Sequence, residues 1–249
     1  ADGDSLGRVV FAGADGTDLE NRTAQIKVVV NGTVAGNQIP TDLIFETSAT
    51  DNSSRAERFR ITSAGNIGIN QSTPTAKLQV TGGGAYTVAN SGRSVEGIDI
   101  NSSSGDVDGA FGGAISFGVG DAGRSAIAAV QNSSDTDNTG LAFFTHPSNT
   151  GAADAVERVR IDSTGAIGIG TVTPSNDIQL VNDSATVKLT STGSGNSTRL
   201  ILVSEADTYG GVHFGDPADE DAGRIRYYHG GSDPNHMAFS TNATERVRI

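Results

Sequence analysis

The sequence has no cysteine, no tryptophan, one methionine and only three lysines among its 249 residues. Without cysteine there is no disulfide framework, no cysteine-ligated zinc and no thiol nucleophile. Leucine is scarce as well, and no window of twelve residues carries apolar side chains at 3.6-residue spacing, which excludes a coiled coil or long-helix protein. No apolar run reaches the ~18 residues of a membrane-spanning helix. The opening Ala1-Asp2-Gly3-Asp4 has nothing of a secretory signal, and the missing initiator methionine suggests a fragment. Basic charge is short: 17 Lys and Arg against 29 Asp and Glu give a net charge of −12. A nucleic acid partner needs clustered cations and is excluded on that ground. The acidic balance reads instead as solubility.

What is abundant is glycine, at 33 residues, with serine, threonine and asparagine. Ile, Leu, Val and Phe make up 55 residues, roughly 22% and just above the ~20% at which chains become disordered. The order of these residues is repetitive. Glu57 to Val80 reads ERFRITSAGNIGINQSTPTAKLQV and Glu157 to Leu180 reads ERVRIDSTGAIGIGTVTPSNDIQL, identical at 12 of 24 positions at an offset of 100 residues. The chain ends on Glu245-Arg246-Val247-Arg248-Ile249, the opening of a third copy. Ahead of each copy stand a Gly-Arg pair (Gly7-Arg8, Gly123-Arg124, Gly223-Arg224) and a Phe-containing stub (Leu43-Ile44-Phe45, Leu141-Ala142-Phe143-Phe144, Met237-Ala238-Phe239). Recurrence in one order divides the chain into three units, 1–80, 81–180 and 181–249, the last cut short.

The local signal is β. Val159, Ile161, Ile167 and Ile169 alternate with Arg158, Arg160 and Asp162, and Phe59, Ile61, Ile67 and Ile69 keep the same parity. Alternation of period two sends apolar and charged side chains to opposite faces of a strand. Ser163-Thr164-Gly165 breaks the run, so each repeat reads as a short hairpin ended by Pro74 or Pro174. Gly168 and Gly170 predict close approach of another backbone. Further strands are predicted at Gln25–Val30, Gly97–Ile100, Ala114–Phe117, Ser125–Val130, Val187–Thr190, Arg199–Val203, Gly211–Phe214 and Ile225–Tyr228. The fold class is all-β, with long polar loops. Ordering a residue costs ~1–2 kcal/mol and burial returns ~25 cal/mol per Å², so a chain this lean in bulky side chains predicts a shared core. Identical chains about an axis would bring the isoleucine rows together and leave the arginine rows facing solvent or a neighbour.

The pattern Glu-Arg-[Val/Phe]-Arg-Ile-x-Ser-x-Gly-x-Ile-Gly-Ile-x₄-Pro, with Gly7–Asp18 and Leu43–Thr47, resembles the repeat of phage tail fibre and tail-spike proteins, especially those of phages of cyanobacteria and other marine bacteria. The resemblance touches all three units and about half of the chain. It implies an elongated homotrimeric fibre of β modules on the virion, extracellular, joined to the baseplate or other tail proteins and used in adsorption to a host surface glycan or protein. It implies no enzyme, no cofactor and no insertion into a membrane. Many such fibres end in a self-cleaving chaperone domain; this sequence stops at Ile249, ahead of any such domain. A bacterial or algal surface adhesin built of the same modules is one alternative, and a polysaccharide-degrading spike is another.

Candidate chemistry is sparse. His146, His213, His229 and His236 show no His-x-His or His-Glu-x-x-His spacing, so no metal site is expected of them. Asp135–Gly140 opens like a calcium loop, but its twelfth position is His146 where a bidentate glutamate is required. Asp216, Asp219, Glu220 and Asp221 form an acidic cluster that reads as a solvated loop. Carboxylates for glycoside cleavage must lie ~5–9 Å apart, which spacing in a β protein does not reveal. The Glu-Arg-x-Arg-Ile motif reads as structural, with Glu57, Glu157 and Glu245 pairing with arginines of a neighbouring chain. Arg226, Tyr227, Tyr228 and His229 form an aromatic cluster and are the candidate receptor contact; their bland reading is a strand with one tyrosine inward and one outward.

Overall fold

A computed structural model describes residues 1–14, 16–17, 21–48, 55–82, 98–102, 107–119, 123–135, 137–149, 153–192, 195, 197–230 and 235–249. Every regular element among them is a β-strand. The first sheet contains β1 (Ser5–Gly13), β2 (Asn21–Val30), β3 (Thr41–Ser48), β4 (Arg55–Ile61), β5 (Ile67–Ile69) and β6 (Leu78–Val80). The second contains β7 (Phe111–Gly118), β8 (Arg124–Gln131), β9 (Thr139–Thr145), β10 (Val156–Ile161), β11 (Ile167–Ile169) and β12 (Ile178–Leu180). The third contains β13 (Tyr209–Asp216), β14 (Asp219–Tyr228), β15 (His236–Thr241) and β16 (Thr244–Arg248). In each sheet the strands lie side by side in chain order. All neighbours are antiparallel except β5 with β6 and β11 with β12, which are parallel. Two compact units result, Ala1–Asp183 with the first two sheets and Ser184–Ile249 with the third.

The repeated motif explains the end of each six-stranded sheet. Gly65 and Gly165 take positive φ, 74° and 92°, at the hairpin bend, a conformation open to glycine at little steric cost. In the second sheet Asp162 caps that bend. Its Oδ1 accepts from the backbone N–H of Thr164 at 2.8 Å and of Ala166 at 3.0 Å, and from the Thr164 hydroxyl at 2.7 Å. These donors, the hydroxyl first, hold its carboxyl below the usual aspartate range. The chain then passes over the sheet so closely that a Cβ on Gly68 would sit 2.0 Å from the Gln71 carbonyl, and one on Gly168 2.4 Å from that of Thr171. The amide oxygens of Gln79 and Gln179 accept from the N–H of Thr75 and Ser175, each at 2.9 Å. The loop is thereby fastened to the parallel strand it leads into.

Three expected strands are absent. Residues 98–100, 187–190 and 199–203 are not in any sheet; Gly97 lies outside the described residues. Their apolar runs are those of a strand, but a strand also needs a partner for its backbone N–H and C=O groups, and among the described residues none pairs with them. The other expected strands are present, several of them longer than the apolar run that announced them.

Candidate functional site

One feature recurs in all three sheets. Val9, Ile26, Phe45, Phe59, Ile69 and Val80 are directly opposite one another across the first sheet, strand after strand. Ile115, Ile127, Phe143, Val159, Ile169 and Leu180 do the same across the second. Val212, Ile225, Phe239 and Val247 follow in the third. Beside the first ladder runs another, Val28, Leu43, Ile61, Ile67 and Leu78, and beside the second Leu141, Ile161, Ile167 and Ile178. Cross-strand apolar pairs of this kind stabilise a sheet by about 0.2–1 kcal/mol each. Yet these rows are open. Val9 is 59% exposed, Ile115 52% and Ile178 70%, and the central Phe45, Phe59 and Phe143 are only half-buried.

The covered face is the other one. Val10 and Val29 excepted, its central rows in the first sheet are polar or charged around Ile44: Gln25, Lys27, Asp42, Glu46, Glu57 and Arg60. Arg60 donates through Nε and Nη2 to the two Glu57 oxygens at 2.8 and 2.6 Å, and through Nη1 to Asp42 at 2.5 Å. Asp42 is fully buried and also accepts from Asn31 Nδ2 at 2.7 Å and the Ser63 N–H at 2.8 Å. Glu57 first, then Asp42, raises the pKa of the guanidinium further. Glu46 is hydrogen-bonded by Gln25 and paired with Lys27 at 2.5 Å. Burial works to raise its pKa, but these partners prevail and lower it.

This arrangement corrects two expectations. Arg60 and Arg160 do not face solvent, because the loop over Gly68 and Gly168 covers that side. Glu57, Glu157 and Glu245 pair within their own strand, with Arg60, Arg160 and Arg248. The reason is a register shift in each strand, between Phe45 and Glu46 opposite β4, between Glu157 and Val159, and between Phe239 and Ser240 opposite β16. The extra residue of such a bulge brings positions three apart, which alternation sends to opposite faces, onto the same face.

The candidate receptor residues are split by strand alternation. Tyr227 is on the ladder face, with the His229 ring edge-on at 5.0 Å. Arg226 and Tyr228 are on the reverse face. There they join residues that the sequence reading passed over. The Arg226 guanidinium lies 4.0 Å above the Tyr209 ring, Tyr209 is 5.5 Å from Tyr228, and Tyr228 is stacked at 4.7 Å on the buried His236. Arg226 Nε also donates to His213 Nε2 at 3.3 Å. Asp221 pairs with Arg224 at 2.7 Å and lies 3.6 Å from Arg226, and Arg224 lowers its pKa. The strand register could have found this group: Tyr209 is opposite Tyr228, and Tyr228 is opposite His236.

Elsewhere, His146 places Nδ1 3.0 Å from the Ser148 carbonyl and Nε2 2.8 Å from that of Ala153, tying one loop together. Asp135 Oδ1 accepts from the Asp137 N–H at 3.0 Å, a tight turn; Thr136 lies outside the described residues. Asp216 Oδ1 accepts from the Ala218 and Asp219 N–H groups at 2.8 and 3.1 Å, closing the β13–β14 bend. Among the described residues no group of three or more His, Asp or Glu is placed to hold a metal ion, and no helix is long and apolar enough to cross a membrane.

No known protein family model matches the chain, and no curated protein matches it. Among solved structures, it is similar to the carboxy-terminal domain of the bacteriophage T5 L-shaped tail fibre. Identity is 12% and the TM-score 0.30, over 79% of this chain and 90% of that one. It is also similar to the same domain with its intra-molecular chaperone domain, at 13% identity and a TM-score of 0.31, over 80% of this chain and 65% of that one.

Proposed function

We propose that the chain is a segment of a phage tail fibre, a homotrimer whose ladder faces meet one another and whose reverse faces and loops face outward toward a host surface. The observation that carries this reading is the apolar ladder, repeated at one register in three sheets and open in the single chain. Burying a large aliphatic or aromatic side chain is worth about 1.5–3 kcal/mol, so an open row of six in each of two sheets is a considerable unspent driving force. The Glu-Arg-x-Arg-Ile repeat, which resembles fibre repeats, supports the same reading. Its parts shape the sheet: an internally neutralised Glu-Arg pair on the reverse face, a glycine under a loop, and isoleucines in the ladder. The three stretches 1–80, 81–180 and 181–249 are then modules, one sheet each.

The role is adhesive and not catalytic. Host contact falls to the reverse face around Arg226 and Tyr228, where the Tyr209 ring, 41% exposed, suits stacking on a sugar of a surface glycan and His236 supports Tyr228 from beneath. One weak contact repeated on three chains gains affinity through effective concentration. Light scattering on the native protein tests the assembly: three chain masses are expected, and a stable folded species at 25.4 kDa overturns it. Binding of labelled protein to host cells tests the contact, with Tyr228→Ala and Arg226→Ala expected to weaken it. Release of oligosaccharide from host capsule would favour the degrading spike instead.

A further inference from the structure

The stretch 184–203 holds two alternating apolar runs, Val187-Lys188-Leu189 and Leu200-Ile201-Leu202-Val203. Among its described residues no backbone group makes a backbone hydrogen bond. Such open N–H and C=O rows are what a sheet edge presents to another chain. Leu200 and Leu202 line a cleft of about 320 Å³ with the ladder residues Val212 and Ile225 and with Gly210, Tyr227 and Met237. A Cβ on Gly210 would lie 3.7 Å from Leu202. Ile201 and Val203, of opposite parity, do not line that cleft; Leu202 is 48% exposed, Leu200 and Ile201 71% and Val203 87%. The placement occurs twice. Ahead of β7, residues 98–102 are equally without backbone bonds, and a Cβ on Gly113 would fall 1.7 Å from the Ile100 carbonyl.

We propose that residues 198–203 are a β-strand whose partner is a second copy of this chain. This inference rests on the homotrimer reading and extends it, because the strand lies along the ladder face through which copies would meet. Self-association is favoured over another protein on two grounds. The unpaired run recurs ahead of the first strand of the second and of the third sheet, and a copy of this chain is a partner that carries both open runs. The six large side chains of 184–203 are also 48% to 87% exposed in the single chain, open apolar surface that a second copy would cover.

Hydrogen exchange read by mass spectrometry on the purified chain, with its mass measured in the same buffer, tests the proposal. The expected result is an oligomer in which the amides of 198–203 exchange about 100-fold or more slowly than unpaired amides. An oligomer in which they exchange at unpaired rates overturns the strand and leaves the shared ladder standing. A single-chain mass overturns both. Ile201→Pro, which removes one donor from the strand, is expected to lower the melting temperature or the oligomer mass. Asn176→Asp, at an exposed loop position off this strand and outside the ladders, is expected to change neither. An unchanged assembly in Ile201→Pro also overturns the proposal.

Discussion

The first and second sheets share a backbone plan and a ladder, yet they fill the opposite face with unlike chemistry. Around Ile44 the first sheet sets Gln25, Lys27, Glu46 and Arg60; around Ala142, at the same register, the second sets Ala126, Ala128, Phe144 and Arg160. Where Lys27 pairs with Glu46 in one, Phe144 meets Phe111 edge-on at 4.9 Å in the other. Where Asp42 accepts from Ser63, Asn132 Oδ1 accepts from Ser163 at 3.0 Å. The position of Asp42 is taken by Gly140, where a Cβ would meet the Ile161 carbonyl at 2.3 Å. One face thus tolerates exchange of an ionic network for a small apolar core, while the other keeps Ile, Val and Phe. A face covered by its own loop can be refilled locally. A face that met another molecule, as the proposed homotrimer requires, would be constrained from outside.

The comparison can be broken most severely at the ladder. Ile67→Asp and Ile167→Asp are expected to have the same effect, loss of assembly, seen as a fall in mass by light scattering, because a charge buried among apolar rows goes uncompensated. Loss in one sheet and not the other would mean that only one ladder is shared. Next is Asp42→Ala. It leaves two donors and the Arg60 Nη1 group without their acceptor, at about 3 kcal/mol or more, as for a broken buried pair. The melting temperature should drop accordingly. Asn132→Ala, with one accepted bond lost, is expected to cost about 1 kcal/mol. Gly168→Ala and Gly68→Ala both drive a methyl into a carbonyl and are expected to lose about 1–3 kcal/mol, again by thermal melting and in similar measure.

The smallest effect is acid sensitivity. A lowered folded pKa means that Glu46 stabilises the first sheet above its ordinary value, near ~4.3, and that this contribution is lost as pH falls through the depressed folded value. Glu46→Gln should therefore flatten the loss of stability below about pH 4. The second sheet has no counterpart at that position, which Phe144 holds; its own acid-sensitive carboxyl is that of Asp162 at the hairpin bend.

Much of this plan was legible in the residues. Period-two alternation located the strands around Ile61 and Ile167, Ser-x-Gly located the bend, and Gly168 announced the close backbone. Alternation alone misplaced the Glu-Arg pair, because a bulge adds one residue and resets parity without a mark in the sequence. It also assigned strands at 187–190 and 199–203 on side-chain pattern, though pairing depends on a partner that pattern does not contain. The aromatic group was half found: Arg226 and Tyr228 are neighbours in sequence to Tyr227 and His229 but neighbours in space to Tyr209 and His236, and only cross-strand register brings those together.

The sameness of the three ladders has a cost for any assembly they join. A companion chain shifted by one whole unit would meet the same order of aliphatic and aromatic rows and be held nearly as well as one correctly aligned. The charged and apolar reverse faces, which do differ, point away from the seam and so do not proofread it. Correct alignment must then come from residues outside the ladders, and a bundle that starts one unit out of step has little thermodynamic reason to come apart and begin again.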